Sequence, residues 1–246
     1  MGDLPTHPQL LNYLAASFME NDWSIKKMHK MIMLSNAYQM SSKLNQAAYD
    51  QDPTNDLFWR YEMRRLTGEE IRDSILQVIG KLDRTYGGPS VFPKVSKEVL
   101  EGQSRIKWTL NTPESHQYRR SVYTFQMRSL IYPLIESFDA ATPDSTCDVR
   151  FVTTQSTQAL TMMNSDLLNR SAELLAQNIR EHVGNDLNAQ MQTLWERVTG
   201  NPVKLNQIKV AQGFMNKMKA TGATDEKSLQ QLCLIMLNLN EFIYLD

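Results

Sequence analysis

Residues 225–240 read DEKSLQQLCLIMLNLN and carry the clearest helical pattern in the chain. Their apolar residues recur at positions i, i+3, i+4, i+7 and i+8, and these are Leu229, Leu232, Cys233, Met236 and Leu237. Asp225 stands where a capping residue would begin such a helix. The stretch therefore predicts an amphipathic helix with one face buried against other helices.

Further helical patterns precede this one. Three are predicted at about residues 166–182, 186–199 and 203–220. Upstream, Thr67-Gly68-Glu69-Glu70 has the form of a capping box that starts a helix, and Ser24 caps an earlier one. Apolar residues cover more than half of the Ser24-capped helix, so we expect it to pack between two neighbours. The first helix should start near Thr6, with Pro8 in its first turn.

Composition agrees with an all-α fold, because the 246 residues include only 10 glycines and 9 prolines. We predict one helical domain over 1–246, an irregular multi-helix bundle with a long polar loop segment in the middle. Its expected subdivisions are the N-terminal helices 1–89, the irregular polar segment 90–165 and the C-terminal helices 166–246.

The net charge of −1 disfavours nonspecific nucleic-acid binding. No apolar run is long enough to predict a membrane span, and the N-terminus does not resemble a signal peptide.

The sequence predicts neither a metal site nor a cofactor. The four histidines follow no recognised metal-ligand spacing, and no C-x-x-C-H motif for covalent haem attachment occurs. The two cysteines are Cys147 and Cys233, and the second lies on an apolar helix face, which favours a buried free thiol over a disulfide. Motifs for a P-loop, a dinucleotide-binding turn or a serine nucleophile elbow are absent from the sequence.

Residues 118–164, here called the polar segment, are unusually rich in polar side chains and read YRRSVYTFQMRSLIYPLIESFDAATPDSTCDVRFVTTQSTQALTMMN. Its candidate binding residues are cations, an acid, hydroxyls and amides: Arg119, Arg120, Arg128, Asp139, Arg150, Thr153, Thr154, Gln158 and Asn164. A charge that leaves water needs a partner, so the segment predicts either a solvated loop or an interlocked network. The network could be purely structural, pinning the loop to the helices. Alternatively, the arginines could present paired donors to an anion or a sugar.

The chain resembles the planctomycete PSD-one family, the domain of unknown function fifteen-fifty-three. Nine ordered blocks carry the resemblance: T-HPQLLNYLA, W-x-x-K-x-x-H-x-x-I-x-x-S-x-x-Y, DPTNDL, RRLTGEEIRD, GGPS, RRSVYTF, FDAATPD, TTQSTQAL-x-x-MN and LNLNEFIYLD. Family members usually have a further helical stretch before the first block, which suggests that this chain is a fragment or a truncated form. The resemblance carries no catalytic residues over to this chain.

The resemblance implies a C-terminal helical domain of large exported bacterial proteins, and hence an extracytoplasmic location. Those proteins also carry an upstream cytochrome-c-like domain and a companion domain, which are the expected partners, with carbohydrate as a further candidate. We therefore expect a noncatalytic accessory domain with an Arg/Asp/Thr-rich docking surface. One alternative is an enzyme acting on a polysaccharide or an anionic sugar, with Asp139 as acid or base and Arg119, Arg120 and Arg150 gripping the substrate. Another is a platform that orients an electron-transfer partner.

Overall fold

The structure is a computed structural model that describes residues 4–101, 108 and 113–245. Most of the described residues that have regular structure are helical, which confirms the all-α prediction. The helices are α1 (Pro8–Glu20), α2 (Ile25–Met33), α3 (Gln46–Gln51), α4 (Gly68–Val78), α5 (Lys97–Glu101), α6 (Pro133–Ser137), α7 (Ser156–Asn164), α8 (Asp166–Val183), α9 (Leu187–Thr199), α10 (Leu205–Ala220), α11 (Asp225–Met236) and α12 (Asn240–Ile243). Two 3₁₀ turns, Glu114–Gln117 and Ser121–Tyr123, and a two-stranded sheet of β1 (Arg64–Arg65) and β2 (Tyr244–Leu245) complete the fold.

Two compact units make up the chain, one up to Arg64 and one from Arg65 to Leu245. In the larger unit, α8 packs along α11. The inward face of α8 contributes Leu168, Leu175 and Ile179, all fully buried. Cys233 lies buried on the facing side of α11, as its position on the apolar stripe predicted, and burial raises the pKa of its thiol. Both cysteines are free thiols.

Helix α4 begins at the predicted capping box. The Thr67 hydroxyl accepts a hydrogen bond from the Glu70 amide, and the Glu70 carboxylate accepts one from the Thr67 amide at 2.9 Å. Gly68 follows the cap and lies against α6 so closely that a Cβ on it would be 2.6 Å from the Cα of Ile135. The absence of a side chain at Gly68 therefore lets α4 and α6 approach each other.

The smaller unit contains α1, α2 and α3. Ser24 caps α2 as predicted, since its hydroxyl accepts a hydrogen bond from the Lys27 amide. The expectation that α2 packs between two neighbours is wrong, because none of its residues is buried and Ile25 is 64% exposed. A unit with three helices has too little surface to cover an apolar helix on both sides.

The segment 90–165 is less irregular than expected. Helices α6 and α7 interrupt it, and α7 carries two buried residues, Gln158 and Met162. The first part of the segment 90–165 contains α5, while residues 102–107 and 109–112 lie outside the described part. Asp225 is the first residue of α11 rather than its cap, which is Thr224.

Candidate functional site

Asp139 lies at the centre of a hydrogen-bond network. Its Oδ2 atom accepts hydrogen bonds from Arg65 Nη2 at 2.6 Å and from the Thr153 amide at 2.9 Å, and its Oδ1 atom accepts one from the Thr153 hydroxyl at 2.7 Å. Arg65 Nη1 donates to the Thr153 carbonyl, which also accepts a hydrogen bond from Gln158 Nε2 at 3.1 Å. Both carboxylate oxygens of Asp139 are therefore engaged by the protein's own donors.

The network holds Asp139 in its charged form. Partial burial raises the pKa of this carboxyl, but the hydrogen bonds from Thr153 and Arg65 outweigh that effect, so its pKa lies below the ordinary value of an aspartate. Asp139 also adopts φ of +61°, a backbone conformation that aspartate tolerates better than most residues. The guanidinium of Arg65 stacks 5.0 Å above the Phe138 ring. Arg65 is only 5% exposed, so Asp139 supplies the counter-charge for a buried cation.

Arg150 holds the same segment at a second point. Its Nη1 atom lies 2.9 Å from each of the two carboxylate oxygens of Glu69, in the first turn of α4. Arg150 and Thr153 are three residues apart, so the backbone between them is fixed at both ends. The residues between and beside these two points are exposed.

Arg72 forms a second buried network under the start of the polar segment. This side chain is fully buried and donates to the Gln117 carbonyl at 2.7 Å and to the Arg119 carbonyl at 2.8 Å. The Ser121 hydroxyl lies 3.2 Å from Arg72 Nη1 and donates to Asp73 Oδ1 at 2.7 Å. Burial lowers the pKa of Arg72, and these acceptors compensate for the water that it has lost.

The neighbouring residues Arg119 and Arg120 take different roles. The Arg119 guanidinium lies 4.0 Å from the centre of the Tyr123 ring and donates to backbone carbonyls of the Thr85–Pro89 turn. Arg120 is exposed, and its side chain has no partner among the described residues. Arg119 is therefore part of the scaffold, while Arg120 is free to contact another molecule.

Arg120 and Arg150 line one cavity of about 910 Å³, here called the α4 groove. Its first wall is the outer face of α4 with the residues that flank this helix, and the second wall comes from the polar segment. The third wall comes from the end of α9 and the C-terminal residues. The described lining residues are Leu66, Glu69, Glu70, Asp73, Ser74, Gln77, Val78, Leu82, Arg84, Arg120, Ser121, Val122, Gln126, Arg150, Val198, Thr199, Glu241, Phe242, Tyr244 and Leu245.

The other candidate residues are not brought to this groove. Arg128 is 82% exposed in its side chain and lies 3.5 Å from Asp144. Thr154 is exposed, and Asn164 lines a different cavity of about 940 Å³ beside α8. Asp139, Thr153 and Gln158 form the buried network and line neither cavity. The predicted set is thus divided between a structural network, the α4 groove and separate surface positions.

Several residues that organise the site were not among the sequence candidates. Arg65, Glu69, Arg72 and Asp73 all belong to the RRLTGEEIRD block around the start of α4. Arg72 could have been found by helical spacing, because it is three residues before the fully buried Ile75 and so shares its face. No local pattern shows that Arg65 would meet Asp139, which is far away in sequence.

No group of three or more potential metal ligands occurs among the residues that the structure describes. In the same part of the chain, no helix is both long and apolar enough to cross a membrane.

Comparison with protein-family models identifies a match. A family model described as PSD1, protein of unknown function (DUF1553), matches residues 1–215. Neither a curated protein nor a solved structure matches the chain significantly. Because the family model covers most of the 246 residues, the chain belongs to the PSD1 family of proteins of unknown function.

Proposed function

We propose that this chain is a noncatalytic interaction domain that docks onto the upstream cytochrome-c-like domain or the companion domain in longer proteins of its family. The observation that carries the proposal is a short exposed apolar strip, held on one side by an ion pair and on the other by hydrogen bonds. The strip is Val149, Phe151 and Val152, which are 71%, 82% and 63% exposed.

The strip is fixed from both sides. Arg150 within it pairs with Glu69, and Thr153 immediately after it bonds to Asp139. An exposed aromatic residue on a fixed backbone loses little conformational entropy when a partner covers it. Clustered exposed apolar side chains mark interaction sites, and aromatic residues dominate the binding energy of such sites. The strip therefore has the properties of a pre-organised docking surface.

The surroundings of Asp139 count against the alternative in which it acts as a general acid or base. A general acid needs a raised pKa and access to a substrate, whereas hydrogen bonds lower the pKa of Asp139 and occupy both of its oxygens. Its side chain is only 20% exposed. The arginines that would have gripped an anionic substrate, Arg119 and Arg150, are engaged with the protein itself.

The proposal is tested with the purified cytochrome-c-like and companion domains of a longer family member as probes. Titration calorimetry should detect binding of the full chain to one of them. Phe151→Ala should weaken that binding at least about tenfold, as expected for removal of a central aromatic anchor. Its thermal unfolding should be unchanged because Phe151 is exposed.

Tyr86→Ala provides the matched control, since Tyr86 is another exposed aromatic residue, at 92% exposure, outside the strip. Unchanged binding by Tyr86→Ala together with weakened binding by Phe151→Ala supports the proposal. Equal affinities of the wild type and Phe151→Ala, or the absence of binding to either domain, would contradict it.

A further inference from the structure

The α4 groove contains both signs of charge. Its described lining residues include four carboxylates, Glu69, Glu70, Asp73 and Glu241, and three guanidinium groups, Arg84, Arg120 and Arg150. An approaching molecule would therefore meet cations and anions within one cavity.

Most of these charges are already engaged inside the chain. Glu69 and Arg150 pair with each other, and Asp73 accepts hydrogen bonds from both the amide and the hydroxyl of Ser121. Glu70 is bound in the capping box of α4.

Arg84 bonds to Gln77 at 3.0 Å. Arg120 and Glu241 are both exposed, and neither side chain has a partner among the described residues. Among the described lining residues, Arg120 and Glu241 are thus an exposed cation and an exposed anion whose side chains make no hydrogen bond or ion pair.

Apolar side chains line the same groove as these charges. Leu66 and Phe242 are buried in the wall of the groove, and Val122 is 70% exposed at its edge. The volume of about 910 Å³ lies within the range of ligand clefts. The groove thus combines apolar lining residues with two exposed charges of opposite sign.

Among biological polymers, a polypeptide supplies an apolar side chain with charges of both signs at close spacing. An anionic polysaccharide or a nucleic acid would satisfy Arg120 but would leave Glu241 facing like charge, which opposes binding. Charge complementarity therefore selects a polypeptide occupant.

We infer that the α4 groove binds a polypeptide segment of the docking partner, with an acidic residue of the segment at Arg120, a basic residue at Glu241 and an apolar residue between them. This inference rests on the proposed docking function and names the site that would bind a specific sequence of the partner. Arg150 lies in both the groove wall and the apolar strip, so one continuous surface would present both features.

A display library of short random peptides, selected on the full-length chain, tests the inference. The enriched peptides should carry an acidic and a basic residue on either side of an apolar one. Calorimetry with the strongest synthetic peptide should show about tenfold weaker binding to Arg120→Glu and to Glu241→Lys, because each change places like charges in contact. A peptide with its acidic and basic residues exchanged should bind the variant that combines Arg120→Glu and Glu241→Lys better than it binds the wild type.

Arg128→Glu is the matched control, because this charge reversal lies at an exposed arginine outside the groove and should leave peptide binding unchanged. The inference is overturned if no peptide is enriched, or if the enriched peptides bind the Arg120 and Glu241 variants as well as they bind the wild type. It is also overturned if polygalacturonate, or a second copy of the chain, occupies the groove and depends on these two residues.

Failure of this inference is distinguishable from failure of the proposed function. If Phe151→Ala weakens docking of the companion or cytochrome-c-like domain while no peptide is enriched, the groove assignment is wrong and the docking function stands. If neither domain binds the wild-type chain, the docking function itself is wrong.

Discussion

Two arginines that enter the interior determine how the polar segment is held. Arg65 meets a carboxylate, Asp139, whereas Arg72 meets mainly backbone carbonyls and a hydroxyl. A buried cation with one partner removed is costly, because the remaining charge can regain neither water nor a substitute. Each of these contacts joins the first turns of α4, or the strand β1 that precedes it, to a distant part of the chain. Arg65 and Arg72 therefore attach the polar segment to the region around α4.

Asp139→Asn should destabilise the protein by about 2 kcal/mol at neutral pH, because the amide leaves the buried Arg65 without a counter-charge. Asparagine tolerates the positive φ at this position, so the substitution tests the charge and not the backbone. Hydrogen bonds lower the folded-state pKa of Asp139 below that of an unfolded aspartate, so its contribution is complete above about pH 5 and is lost as the pH falls through the folded-state pKa. Urea unfolding from pH 7 to pH 3 measures the difference between wild type and variant.

Asp144→Asn is the control for this measurement, because the pair of Asp144 with Arg128 is largely exposed and should contribute little. A wild-type advantage over Asp139→Asn that stays constant down to pH 3, or no advantage at pH 7, would show that the ion pair does not hold the segment.

Helix α4 is the element on which the site is built. Its cap, its acidic first turn and its buried Arg72 lie within the first five residues after Thr67. Its N-terminal end also lies against α6, where Gly68 leaves room for the backbone of Ile135. The position of α4 therefore controls both the buried networks and one wall of the groove.

Gly68→Ala should destabilise the protein by about 2 kcal/mol, although alanine favours helices, because the new methyl group would force the backbones of α4 and α6 apart. Gly213→Ala is the matched control within α10, where a Cβ would meet no atom within 4 Å. That control should stabilise the protein by about 0.5–1 kcal/mol through helix propensity. Chemical unfolding of both variants gives the comparison, and a stabilising effect of Gly68→Ala would disprove the close approach.

Apolar periodicity predicted the long C-terminal helices, and the capping box predicted the start of α4, because spacing and caps are local signals. Helix α7 was missed because its residues are mostly polar, so its buried Gln158 and Met162 did not stand out as a stripe. The burial of α2 was wrongly predicted because the number of helices available to cover it depends on the whole unit. Local patterns find elements, while burial depends on neighbours that are distant in sequence.

At the scale of the whole molecule, most charges around the polar segment are satisfied within the chain. The sequence identified the residue types of this region but could not predict that Arg119 and Arg120 have different roles, since adjacent residues share the same local context. The difference depends on the Thr85–Pro89 turn, whose carbonyls accept hydrogen bonds from Arg119, while Arg120 is exposed to solvent. The exposed features around this segment include the apolar strip and the α4 groove, on which the proposed docking function rests.

The central claim is that the polar segment is held rigid by its own hydrogen bonds, and amide hydrogen exchange at Thr153 tests it most directly. Thr153 lies outside the helices, and its N–H donates to the Asp139 carboxylate. The account predicts that this amide exchanges far more slowly than an unstructured one, and that Asp139→Asn removes the protection while the helix α8 amides keep theirs. Exchange of the Thr153 amide at the unstructured rate in the wild-type protein would contradict the account.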